Sequence, residues 1–208
     1  MQVYLPLFPL KLVAFPGENL NLHIFEPRYR QLIHDIRENG GSFGICIYMD
    51  KLMTIGKEVE LLEISKIYDD GRMDIKTVAR RVFEIISFDN PMKDKLYAGG
   101  WVKFRENDPR VPQSLHNEFL FYLKELFRLM GQKVELKHLE VNSFTFSHKI
   151  GLKLEEEYDL LNLDKELERT NYLISYLMKV IPVLREIEKA KVKIQMNGHF
   201  KYLDPLSF

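Results

Sequence analysis

Cysteine is almost missing from this chain. Cys46 stands alone in 208 residues, so neither a disulfide framework nor a cysteine-built zinc site is available. A reducing compartment is the natural reading. Cys46 lies in an apolar run with no base beside it, and reads as a small buried hydrophobe. An excess of either charge is also missing: Lys+Arg 30 balances Asp+Glu 30, which removes the broad positive field that nucleic-acid binding needs. No apolar run reaches the roughly eighteen residues of a membrane span. The apolar N-terminus lacks a basic leader and is broken by Pro6 and Pro9, which argues against a signal peptide. The expectation is a soluble cytoplasmic protein with no membrane partner.

Catalytic and cofactor motifs are equally scarce. A phosphate-cradling loop needs Gly-x-x-x-x-Gly-Lys-[Ser/Thr], and the nearest fragment, Gly56-Lys57-Glu58, lacks the upstream glycine and the hydroxyl. The six histidines form no His-x-x-x-His or His-Glu-x-x-His pair, so no metal is expected. His23 and His34 fall on polar faces and read as surface histidines. Ser147-His148-Lys149 is not expected to act as a nucleophile and base, since successive helical residues point in different directions. The run Glu155–Glu157 reads as a solvated helix start, and Lys189, Lys191 and Lys193 as a solvated helix end. No catalytic residue and no cofactor is expected.

What is present is concentrated between Leu5 and Glu38. Leu5-Pro6-Leu7-Phe8 reads as an edge strand or a strand start, because proline cannot donate to a ladder. Phe15-Pro16-Gly17 is a turn signal. From Asn19 the chain alternates, with Leu20, Leu22 and Ile24 opposite Asn19, Asn21 and His23, as in a half-buried strand. Glu26-Pro27 opens a helix, and Tyr29, Leu32, Ile33 and Ile36 form its core-facing stripe. Gly40-Gly41 ends it with a left-handed cap.

The blocks Phe15-Pro16-Gly17 and Phe25-Glu26-Pro27-Arg28-Tyr29 resemble the signature of the amino-terminal, substrate-binding domain of the Lon ATP-dependent protease family. Further along, Asp69-Asp70-Gly71 is a hairpin signal. Gly71, Arg81 and Phe83 resemble the family's Asp-Gly turn followed by an Arg-Phe element. Ala79 stands where the family commonly has glycine, and Val82 separates the arginine from the phenylalanine. The resemblance runs from about Leu5 to about Lys191. It implies an α+β fold: a β-rich pseudo-barrel (PUA-like) lobe with one helix over residues 1–108, then a helical lobe with a C-terminal tail over 109–208.

Within that frame, Phe43–Met49 reads as a strand covered on both faces. Glu58–Tyr68 and Met73–Ser87 form the hairpin, the latter long enough to need a bulge near Thr77–Ala79. Tyr97–Glu106 is a further strand. Beyond Asn107-Asp108-Pro109 helical periodicity takes over. Leu115, Phe119, Tyr122, Leu126 and Met130 lie on one face of a helix capped by Gly131, and Phe144–Ile150 forms a short helix. Another opens at Glu155 and buries Leu160 and Leu161. Asp164 caps the last, whose stripe is Leu167, Ile174, Leu177, Ile181, Leu184 and Ile187. Pro182 predicts a kink or break there. Residues 195–208 form a tail with Phe200, Tyr202, Leu203 and Phe208 to bury.

The resemblance implies a stand-alone, non-catalytic module that binds unfolded or tagged polypeptide, an adaptor for proteolysis or quality control with a protease or chaperone as partner. The peptidase activity of full-length relatives is not carried over, since their ATPase and Ser–Lys protease domains have no counterpart here. A hydrolase reading rests on the family name alone. RNA binding through the pseudo-barrel lobe is the alternative, weakened by the zero net charge. The signature residues themselves are expected to be structural. Leu10, Leu12, Val13 and Phe15, beside the Pro-Gly turn, either fold inward or form a polypeptide contact patch.

Overall fold

The computed structural model describes residues 2–134 and 141–199, with side chains of the last helix as far as Ile194. Among these residues, six strands form one sheet: β1 (Gln2–Leu10), β2 (Asn19–Ile24), β3 (Ser42–Tyr48), β4 (Leu52–Ile67), β5 (Met73–Ile85) and β6 (Ala98–Phe104). Their order is β2-β5-β4-β3-β1-β6, and an added β5–β6 pairing curls the sheet back on itself. Four α-helices accompany it: α1 (Pro27–Asn39), α2 (Gln113–Leu129), α3 (Leu154–Leu161) and α4 (Glu166–His199).

The chain divides into two compact units, residues 1–108 with 151–164, and residues 109–150 with 165–208. Periodicity marks 151–164 as helical and groups it with the later helices, yet this segment packs in the first unit. The Thr54 and Tyr158 hydroxyls meet at 3.2 Å. Arg105 also donates to the Asn162 side chain at 2.6 Å and to Asp164 at 2.7 Å. A helical pattern states that one face is apolar; it does not state which core that face meets.

β1 is not an edge strand. It pairs antiparallel with β6 over Gln2–Leu7 and parallel with β3 over Leu7–Leu10. Because the two partners are staggered, Pro6 and Pro9 each lie in a half of the strand with one neighbour, where a missing N–H breaks no second ladder. Alternation then splits the core. Phe8 and Ile45 join Tyr29, Leu32, Ile33 and Ile36 in one cluster, which seats α1 on the sheet. Leu7 and Cys46 join Leu5, Phe83 and Val102 in a second. This is why Phe43–Ile47 is buried throughout: each face of β3 meets its own core.

The β4–β5 hairpin closes at Gly71, whose φ is +80° and whose N–H donates to the Tyr68 carbonyl at 2.9 Å. Register slips on β5 between Ala79 and Val82, just past the expected stretch, and again on β4 near Leu62 and Ser65. Gly40 ends α1 with a positive φ of 71° but an extended ψ of −176°, so the chain leaves directly into β3 instead of through a left-handed cap.

In the second unit α2 packs on α4. The buried stripe of α2 is Phe119, Leu120, Leu123, Leu126 and Phe127, while Met130 is exposed. The expected face was thus rotated from the true one, since Leu115 and Tyr122 are only half-buried. Gly131 takes φ +71° and Gln132 donates back to Phe127 at 2.9 Å, closing the helix end. Residues 144–150 form turns and one 3-10 turn, Ser147–Lys149. α4 starts after Lys165, whose carbonyl accepts from Glu168 and Arg169, and runs unbroken through Pro182. Asp164 therefore serves Arg105 and does not cap the helix. In α4, Leu173, Ile174, Leu177 and Ile181 are buried, whereas Leu167 and Ile187 are exposed. A buried Arg169–Glu166 pair at 2.9 Å shares its carboxylate with the Ser143 hydroxyl at 2.7 Å. The expectation for the tail from Phe200 onward lies outside the described residues.

Candidate functional site: a cleft beside the signature

The first signature block is a strap. Phe15 is buried, and its N–H donates to the Glu18 carboxylate at 2.9 Å. Gly17, with φ +83°, donates to the Ala79 carbonyl at 2.8 Å, and Ala79 donates to the Glu18 carbonyl at 2.8 Å. Ala79 is fully buried against this turn.

The second block docks the start of α1. The Glu26 carboxylate accepts from Arg28 Nε at 2.9 Å. The Arg28 guanidinium lies 4.5 Å from the centre of the Tyr29 ring. Tyr29 in turn stacks on Phe8 with ring centres 3.7 Å apart. Burial pushes the Tyr29 phenol up, against the opposing pull of Arg28. Pro16 is half-buried, Pro27 exposed, and Phe25 is 59% exposed. Arg30 reaches the Asp70 carbonyl at 2.8 Å, fastening the hairpin turn to α1.

The four apolar residues proposed as a contact patch divide. Val13 and Phe15 fold into the core, and Leu12 is half-buried against it. Leu10 lines an open cleft of 340 Å³. Its apolar lining also includes Tyr29, Leu52 and Phe88, and Tyr48, 48% exposed, stands at its edge. Two cations, Lys11 and Arg28, lie among the lining residues together with Asn90, and no Asp or Glu does. Lys11 is exposed and forms no ion pair among the described residues. Tyr48, Leu52 and Phe88 had no signal in the sequence: they come from a strand end, the start of the next strand and a loop after β5.

A larger groove of 570 Å³ lies between the end of α1 and the outer half of β4. It includes Glu60 and Glu63 as well as Arg37, so it has charge of both signs beside Ile36, Leu61, Leu62, Ile64 and Ile67.

Cys46 is fully buried, and burial pushes its thiol up to about 12, which leaves no thiolate to attack anything near neutral pH. Ser147 is buried and its hydroxyl donates to the Ser143 carbonyl at 2.6 Å. His23 Nδ1 and an Asp74 oxygen lie 2.6 Å apart on the surface, and His34 lies 3.1 Å from Glu38. Among the described residues no group of three or more His, Cys, Asp or Glu is arranged to hold a metal ion. No described helix is long and apolar enough to cross a membrane.

A curled sheet with an N-terminal helix docked on it carries the apolar cleft. Residues 4–192 match the family model of the ATP-dependent protease La (LON) substrate-binding domain, and the chain belongs to that family. Solved structures share the fold, two Lon N-terminal domains among them. The Lon N-terminal domain protein from Xanthomonas campestris is 23% identical, with a TM-score of 0.66 over 84% of this chain and 98% of that one. The N-terminal domain of the Mycobacterium avium complex Lon protease is 14% identical, with a TM-score of 0.62 over 85% of this chain and 98% of that one. A search of the curated proteins found no match.

Proposed function

We propose that this protein binds unfolded or tagged polypeptide through the cleft beside Leu10 and Tyr29, and presents it to a protease or chaperone without performing chemistry itself. The observation that carries this reading is the apolar lining of that cleft, built next to the family's signature and left open at Tyr48. A concave apolar surface with a few polar groups is what a promiscuous peptide site requires. The signature holds the wall in place: Phe8, Tyr29 and Arg28 stack in sequence, so the floor is preformed and loses little entropy when it is filled.

The test is titration with a permanently unfolded protein, such as reduced and carboxymethylated lactalbumin, followed by calorimetry. Binding in the micromolar range is expected. Tyr48→Ser, at an exposed position, should weaken it about fivefold while leaving the melting temperature unchanged. Absence of binding at several hundred micromolar, or full binding by the variant, would count against the reading.

A further inference from the structure

The charge around the cleft narrows its ligand. In a chain of equal acidic and basic content, this one cavity is lined by two cations and no carboxylate. Arg28 is already engaged with Glu26 at 2.8 Å, whereas Lys11 has no ion-pair partner among the described residues. The polar groups at hand are rich in donors: a lysine ammonium with three N–H bonds, a guanidinium, the Asn90 amide and the Tyr48 hydroxyl. A wholly apolar segment crossing the cleft would bring backbone carbonyls but no anion for Lys11.

We infer that the cleft takes the carboxyl-terminal residue of an unfolded polypeptide, its apolar side chain against Leu10, Leu52 and Phe88 and its terminal carboxylate against Lys11. This rests on the polypeptide-binding reading above and names which part of the polypeptide is held. Three features support it. A chain end supplies an apolar side chain and an anion on the same residue, which matches an apolar floor with a cation at its rim. A carboxylate accepts and does not donate, which matches a donor-rich rim. At 340 Å³ the cleft is near the lower limit of ligand pockets, roughly 300–1,000 Å³, and suits one or two large side chains more than a long segment. Capture of a terminal carboxylate is an established mode of peptide recognition, here with lysine as the anchor.

The experiment uses three fluorescein-labelled decapeptides of Ser-Gly repeats ending in Leu-Phe: one with a free carboxylate, one amidated, and one amidated with Asp just before the final Leu-Phe. Fluorescence anisotropy at low salt should show the free acid binding about fivefold to tenfold more tightly than the amide. Lys11→Glu should abolish that preference, and because Lys11 is exposed the variant should keep the wild-type melting temperature. Equal affinity for acid and amide would overturn the inference, as would a preference that survives in Lys11→Glu. Tight binding of the amidated Asp peptide would overturn it too, since any nearby acidic side chain would then suffice. If unfolded lactalbumin binds while acid and amide are equal, the terminal-carboxylate assignment alone falls. If neither peptide nor unfolded protein binds, the polypeptide-binding reading falls with it.

Discussion

Two glycines decide how the barrel interior is filled. A Cβ added at Gly44 would come within 2.6 Å of the Phe83 ring, and one at Gly56 within 2.5 Å of it. Phe83 is fully buried because β3 and β4 leave it that room. At Gly56 the added carbon would also lie 2.8 Å from the Ile45 carbonyl, so shifting the ring alone does not relieve the clash. Gly56→Ala is therefore expected to destabilise by about 1–3 kcal/mol, the usual cost of overpacking, read from the urea midpoint. The double variant Gly56→Ala with Phe83→Leu should recover part of that loss, since the smaller side chain vacates the space. The neighbouring Arg81 explains its place in the motif: it forks onto Glu58 at 2.6 and 2.9 Å while its guanidinium lies 3.6 Å from the centre of the Phe104 ring. Val82 between Arg81 and Phe83 sits at the register slip in β5, where one extra residue re-aims the side chains.

Helix α1 is the element that joins signature, cleft and sheet. Its buried stripe was readable at the spacing of Tyr29, Leu32, Ile33 and Ile36, all of which are inside. Its polar attachments were not readable. Asp35 accepts from Lys95 at 2.7 Å and from the Tyr97 hydroxyl at 2.6 Å, and Gln31 accepts from the Leu96 backbone at 2.8 Å. These partners are distant in sequence, and nothing in their local pattern announces the pairing. Asp35→Asn keeps the shape but removes the charge that faces Lys95. We expect a loss of about 1–3 kcal/mol in urea denaturation, the range for a partly buried charge-assisted bond. Weaker peptide binding should accompany it if α1 shifts, because Arg28 and Tyr29 form part of the cleft.

For the molecule as a whole, acid should be the sensitive direction. Burial raises the carboxyls of Glu58 and Asp35, but hydrogen bonds outweigh it: from Arg81 and Ser42 to Glu58, and from Lys95 and Tyr97 to Asp35. Both are held below the usual carboxylate range in the folded state. A depressed folded value means the unfolded chain binds protons first as pH falls, so the contribution is complete above about pH 5 and lost below about pH 4. Thermal melts from pH 7 to pH 3 should be flat at first and then decline. Glu58→Gln should start lower and show a shallower decline; an unchanged slope would remove Glu58 from this account.

The sequence by itself determined most of the elements and the apolar faces of β2 and α1, because period-two and period-3.6 patterns are local, but it misplaced the buried face of α2 and part of that of α4. It also determined the family, through two short blocks that make contacts close in the chain, Phe15 with Glu18 and Glu26 with Arg28. Only the tertiary structure decided that β1 lies between two partners, that residues 151–164 pack in the first unit, and that Val13 and Phe15 turn inward while Leu10 faces a cleft. The reason is physical. Burial of an apolar residue is favourable against any core, so composition does not select the surface it meets. A cleft exists only where side chains from separate strands, a helix and a loop converge, and that convergence is a property of the sheet's register and curl.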